Sequence, residues 1–121
     1  MRALMISGDR SGSGKTSISL AIAALLSQKM TVQTFKVGMD YIDPSYLTGV
    51  TGRPCRNLDT FVMERTDLAR IFAHGMEGSD VGLVEGVRGL YEGAESLGDE
   101  GSSAAVAKLL NIPVVLVVSA R

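Results

Sequence analysis

The sequence predicts an α/β fold, a mostly parallel sheet flanked by helices. Three observations lead to it. Short β-like runs alternate with helix-like runs along the chain, the order that lays helices over a parallel sheet. Pro113 to Ser119 is a continuous run dominated by β-branched residues, as in strands buried on both faces. Unusual loop sequences follow the ends of three apolar runs, after Ile6, Val37 and Glu85. Ligands in such folds sit at the carboxyl ends of the strands, so one mouth of the sheet collects the chemistry.

The elements follow in order. Ala3 to Ile6 is a short apolar run ending at Gly8, and reads as a buried strand. Residues 14–29 read as a helix, with Ile18, Ala21, Ile22, Leu25 and Leu26 on one apolar face. Thr31 to Val37 is β-branched and aromatic, a second strand. Residues 38–65 are less regular, broken at Asp43-Pro44 and Arg53-Pro54, with a short helix from Ser45 to Val50. Thr66 reads as the N-cap of a helix carrying Leu68, Ile71, Phe72 and Met76. Val81 to Glu85 is a strand ending in a carboxylate, and 86–101 is a Gly-rich acidic loop. Ser102 or Ser103 caps a last helix with Val106, Ala107 and Leu110 inward, and the Pro113–Ser119 strand follows.

Composition narrows the partners. The chain has 121 residues, 45% apolar and 21% charged, an ordinary globular balance for one small domain. Twelve basic residues against thirteen acidic ones leave a charge of −1, which argues against a nucleic-acid surface. Any anion must be held locally. Fourteen glycines gather mainly at 8–14, 75–93 and 98–101, where backbone can pass close to a ligand. One Cys excludes an internal disulfide and a Cys-based zinc cluster. The apolar stretch Ile18–Leu26 is too short to span a bilayer and no signal peptide is apparent, so a cytoplasmic protein without membrane contact is expected.

Gly8-Asp9-Arg10-Ser11-Gly12-Ser13-Gly14-Lys15-Thr16 lies between a strand and a helix, the context a P-loop requires. Gly12, Ser13 and Gly14 would turn backbone N–H groups toward a phosphate chain, and the helix N-terminus adds partial positive charge. Lys15 would reach the β- and γ-phosphates, Thr16 would offer its hydroxyl to Mg²⁺, and Ser17 completes the cradle. The spacing departs from Gly-x4-Gly-Lys-Thr, because Asp9 stands where the first Gly belongs and the nearest Gly is Gly8. A plain Gly-rich turn fits less well, as does a dinucleotide fingerprint, whose third Gly would fall on Ser17 or Ser19.

Mg²⁺ asks for carboxylates. Glu85 ends an apolar strand, the place of a Walker B acid. Asp40, Asp43 and Asp59 follow the second strand, though Asp43 can equally start a turn and Asp59 can cap a helix. Lys36, at the end of that strand, is a candidate for holding an anionic substrate. Cys55 reads as a small structural residue and His74 as structural or solvated.

Three segments resemble the cobyrinic acid a,c-diamide synthases and the related nickel-sirohydrochlorin a,c-diamide synthases. They are Lys36-Val-Gly-Met-Asp-Tyr-Ile-Asp-Pro44, Thr51-Gly-Arg-Pro-Cys-Arg-Asn-Leu-Asp59 and Glu85-Gly-Val-Arg-Gly-Leu-Tyr-Glu-Gly93. The wider group includes dethiobiotin synthetase, whose Gly-x5-Gly-Lys-Thr loop matches the spacing here. The resemblance implies a P-loop NTPase-like fold and ATP-dependent amidation of the a and c acetates of a tetrapyrrole. ATP and Mg²⁺ serve the formation of an acyl phosphate, and ammonia comes from glutamine. It implies catalytic roles for Lys15, Asp40, Asp43 and Glu85, and metal binding by Thr16, Asp59 and Glu85. Lys36, Tyr41 and Asp43 would face the substrate. Glu92 stands where many members have Asp, and Met39 replaces a common Pro. The family's glutaminase domain uses a Cys nucleophile that this sequence does not offer. Residues 1–121 therefore read as the N-terminal part of the synthetase domain, an incomplete sheet expected to form dimers or oligomers. Two alternatives are an ATPase switch of the partition-protein type, which usually has a Lys where Arg10 stands, and a nucleotide-binding fragment without turnover.

Overall fold

A computed structural model of the chain describes residues 2–8, 14–38, 43–58, 65–89 and 103–118. The described elements are β1 (Ala3–Gly8), α1 (Lys15–Ser27), β2 (Val32–Val37), α2 (Asp43–Thr51), β3 (Arg56–Leu58), α3 (Arg65–Met76), β4 (Val81–Gly89), α4 (Ser103–Leu110) and β5 (Val114–Val117). The strands form one sheet in the order β3-β2-β4-β1-β5, and each pairing is parallel. The chain first moves outward from β1 to β2 and β3. It then returns to β4, between β2 and β1, and crosses to β5 on the far side. The reversal leaves the carboxyl ends of β1 and β4 side by side, the usual ligand crevice of an open α/β sheet.

Both sheet faces are packed, and side-chain alternation assigns the layers. Met5, Phe35, Val37, Leu58 and Val84 meet Leu68, Phe72 and Met76 of α3 and Val106 and Ala107 of α4. Ile6, Val32 and Leu83 meet Ala23 of α1 and Leu47 of α2 on the other face. The Phe35 and Phe72 rings sit with centroids 4.8 Å apart. A Cβ on Gly75 would lie 2.8 Å from the Phe35 ring, so a side chain there would push α3 off β2.

Several expectations are corrected. The Ile18–Leu26 stripe faces inward only in part: Ile22 and Leu26 pack against the core, but Ile18 and Leu25 are 38% and 65% exposed, while Ser19 and Ala23 are buried. The helix is apolar round most of its surface, so periodicity does not single out the face. Small Ser19 and Ala23 face inward beside Ile22 and Leu26. Thr66 is not a cap but the second residue of α3, which opens at Arg65. The Asp43-Pro44 pair is not a break. It opens α2, where the missing proline N–H costs nothing. The strand from Val81 continues past Glu85 to Gly89, into what was expected to be loop. Arg56–Leu58 adds a strand within the segment read as irregular. Val114–Val117 is a strand, but Val114, Val115 and Leu116 are 36%, 46% and 47% exposed rather than covered on both faces. Among the described residues it is an edge strand, paired only through β1.

Candidate functional site

The unusual polar residues gather where α1 begins beside β4 and β2. Gly14, the N-cap of α1, has φ 93 and ψ 12, the left-handed conformation that glycine adopts without strain. A Cβ there would meet nothing within 4 Å, so backbone conformation rather than space calls for glycine. Lys15 and Thr16 form the first turn of α1, both half-buried, and Ser17 is exposed.

Thr16 points to the sheet. Its Oγ1 donates to Glu85 Oε1 at 3.1 Å. Lys36 Nζ donates to the same oxygen at 2.8 Å and to the Gly86 carbonyl at 2.9 Å. Lys36 and Glu85 are 2% and 1% exposed, so this ion pair is dry. Strand register explains the meeting, because Lys36 on β2 lies directly opposite Glu85 on β4 and their side chains share the α1 face. A buried carboxylate needs such partners, since a lone buried charge costs several kcal/mol, about 3–5 when one partner of a pair is removed. Glu85 Oε2 is also buried and has no hydrogen-bond partner among the described residues. One oxygen thus receives two donors while the other keeps its lone pairs.

Of the residues expected from sequence, Thr16, Lys36 and Glu85 are in direct contact, with Gly14 and Lys15 at the adjoining helix start. Asp43 opens α2, which packs on the same face as α1. Gly12, Ser13, Asp40, Tyr41 and Asp59 lie outside the described residues, as do Arg10, Met39 and Glu92. Cys55 is half-buried against the Ile6–Leu47 cluster, in keeping with a structural residue. His74 is exposed, with Nδ1 3.7 Å from Glu77 Oε2. Among the described residues no three His, Cys, Asp or Glu side chains converge as a metal cage.

Sequence reasoning assigned no role to several residues that shape this mouth. Asn57 Nδ2 donates to the Gly38 carbonyl at 2.9 Å, and the Gly38 N–H donates to Leu58 O at 2.8 Å. Together they hold the backbone leaving β2, with Gly38 at φ 92. Arg53 belongs to the frame. Its Nε donates to Gln33 Oε1 at 2.9 Å, and one terminal nitrogen reaches the Glu77 carbonyl at 3.1 Å and that of Gly75 at 3.4 Å. It thus binds carbonyls left open at the end of α3. A Cβ on Gly86 would lie 2.7 Å from Ser103 Oγ and 2.8 Å from Ser7 Oγ, so glycine lets α4 approach β4 and β1. A cavity of about 560 Å³ at the opposite, amino-terminal end of the strands touches Arg2, Asp80 and Glu77 and none of Gly14, Lys15, Thr16, Lys36 and Glu85.

No helix among the described residues is long and apolar enough to cross a membrane. No protein-family profile matches the chain. The chain is similar to the cobyrinate a,c-diamide synthase of Methanosarcina barkeri, 53% identical over 122 residues, which is 98% of this chain and 25% of that protein. The Synechocystis protein of the same name is 47% identical over 121 residues, again 98% of this chain and 25% of the relative. That of Methanocaldococcus jannaschii is 46% identical over 121 residues, 100% of this chain and 27% of the relative. The chain spans about a quarter of the length of these curated relatives.

Proposed function

We propose that this chain, homologous over 98% of its length to a segment of the cobyrinate a,c-diamide synthases, binds Mg-ATP and uses it to activate a tetrapyrrole carboxylate for amidation. The observation that carries this reading is the contact of Thr16 and Lys36 with one buried carboxylate, Glu85, beside the left-handed glycine that opens α1. N–H groups at the start of α1 suit a phosphate chain, and Lys15 is the residue to neutralise its outer phosphates. The Thr16 hydroxyl and Glu85 Oε2, which has no hydrogen-bond partner among the described residues, are hard oxygen donors that fit Mg²⁺, with Asp59 as a further ligand. When bound, Mg²⁺ would neutralise charge on the phosphates.

The residues serve a positioning reaction. A substrate carboxylate oxygen attacks the γ-phosphorus, the bond from phosphorus to the departing ADP oxygen breaks, and an acyl phosphate results. Ammonia attacks the acyl carbon, the C–N bond forms, and inorganic phosphate leaves with the electron pair of the C–O bond and takes up the proton that the nitrogen loses. Lys36 is oriented at the end of β2 to balance anionic groups. Tyr41 and Asp43 would contact the substrate together with Lys36, and Asp40, Asp43, Lys15 and Glu85 are the catalytic set of this reading. Ammonia derives from glutamine in a glutaminase domain, and the a and c acetates are the sites of amidation.

Calorimetry with Mg-ATP on the protein and on Lys15→Ala tests the first half. Loss of one charge-assisted contact worth about 1.5–3 kcal/mol should weaken binding about 10- to 100-fold. Equal affinity in the variant would sink the phosphate cradle. Hydroxylamine trapping tests the second half: a hydroxamate should form only with ATP and a tetrapyrrole carboxylate. Binding without a hydroxamate would leave a nucleotide site but remove the ligase reading.

A further inference from the structure

Glu85 Oε1 already accepts from a resident cation, the Lys36 ammonium, at 2.8 Å. Thr16, another of the proposed metal ligands, donates to that same oxygen. Lys36 is not a solvated side chain that can swing clear: it is 2% exposed and also tied to the Gly86 carbonyl at 2.9 Å. Its place is fixed by the β2–β4 register and not by a loop. A divalent cation on Glu85 Oε2 would therefore sit on the same carboxylate as a fixed ammonium. Repulsion between a dication and an ammonium a few ångströms apart is large even at the effective dielectric of a protein surface.

We infer that Lys36 is a positioning residue that makes metal binding conditional on the phosphate chain. Its ammonium holds Glu85 in place and neutralised while phosphate is absent. The metal is tolerated beside it only when phosphate brings negative charge to both cations. The inference rests on the Mg-nucleotide reading of this site. It adds an order: free metal does not load first, and the metal enters with the nucleotide. A lysine serving only to bind substrate would not impose that order.

Mn²⁺ titration followed by electron paramagnetic resonance, with and without ADP, reads this directly and needs no turnover. The wild-type protein should bind Mn²⁺ weakly alone and tightly with ADP. Lys36→Met should tighten ADP-independent Mn²⁺ binding by at least about tenfold, because the competing charge is gone. Lys36→Gln, which keeps a donor for the Gly86 carbonyl, should move in the same direction and stands in should the Met variant not fold. The rise in melting temperature caused by Mn²⁺ alone should likewise be larger in either variant than in wild type. Glu85→Gln should abolish the gain when combined with either change. Equal ADP-independent affinity in wild type and variants, with ADP still recruiting Mn²⁺ to wild type, would overturn the inference and leave the nucleotide site standing. Wild-type protein that binds no Mn²⁺ even with ADP would overturn both.

Discussion

The middle of the sheet and its β5 edge invert each other's rule of burial. In the middle, β2 and β4 bury Lys36 and Glu85 to 2% and 1% exposure. At the edge, Val115 and Leu116 are 46% and 47% exposed. Buried charge and exposed hydrocarbon are the two informative departures from ordinary packing. In the middle, the desolvation cost is offset only by close pairing, so the arrangement is sensitive to any single change. At the edge, Val117 packs against the Ile6 cluster while Val114, Val115 and Leu116 stay exposed. We expect the middle to govern stability and the proposed chemistry, and the edge to govern association.

The largest effect should come from breaking the central pair. Glu85→Leu deprives the buried Lys36 ammonium of its carboxylate partner and should cost about 3–5 kcal/mol in urea unfolding. Adding Lys36→Met should restore most of that loss, since two apolar residues replace a dry ion pair. A single-variant loss under about 1 kcal/mol would show that water reaches the pair and would erase the contrast with the edge.

Arg53 sharpens the comparison because it is polar and buried in part, yet belongs to the frame. Arg53→Ala strips Gln33 Oε1 and the Glu77 carbonyl of a charged donor. The expected loss is about 2–3 kcal/mol, with no change in Mg-ATP affinity of the folded protein. Arg53→Lys should not rescue it, because one ammonium cannot reproduce a fork that reaches Gln33 and the end of α3 together. A fall in nucleotide affinity matching that of Lys15→Ala would instead couple the frame to the mouth.

Much of this was legible in sequence where the signal is local. Apolar runs marked β1, β2 and the first half of β4, and helical spacing marked α3 and α4. The strand Arg56–Leu58 was not legible, since it has three residues and only Leu58 is buried, too little for a period. The inward face of α1 was hidden because apolar residues surround the helix. Thr16, Lys36 and Glu85 were each readable as candidates from their places at strand and helix ends. Their contact was not, because residues 49 apart meet only through the register of two parallel strands. The roles of Asn57 and Arg53 were equally hidden, since both act on backbone carbonyls that no sequence pattern displays.

The smallest effect on stability should come from the edge, and it is the one that completes the comparison. Leu116 is 47% exposed on a strand paired only with β1 among the described residues. Leu116→Lys should change unfolding free energy by no more than about 0.5 kcal/mol, as for other exposed positions. Its effect should appear in association. A strand with open N–H and C=O groups and uncovered apolar side chains is a template for pairing, and an edge lysine opposes it. Light scattering should therefore show self-association of the 121-residue chain and a shift of Leu116→Lys toward monomer. A monodisperse wild-type monomer would mean that hydration of this edge is tolerated without a partner. Hydrophobic exposure would then carry no more consequence here than at any scattered surface leucine, and the difference between the two regions would reduce to the buried pair alone.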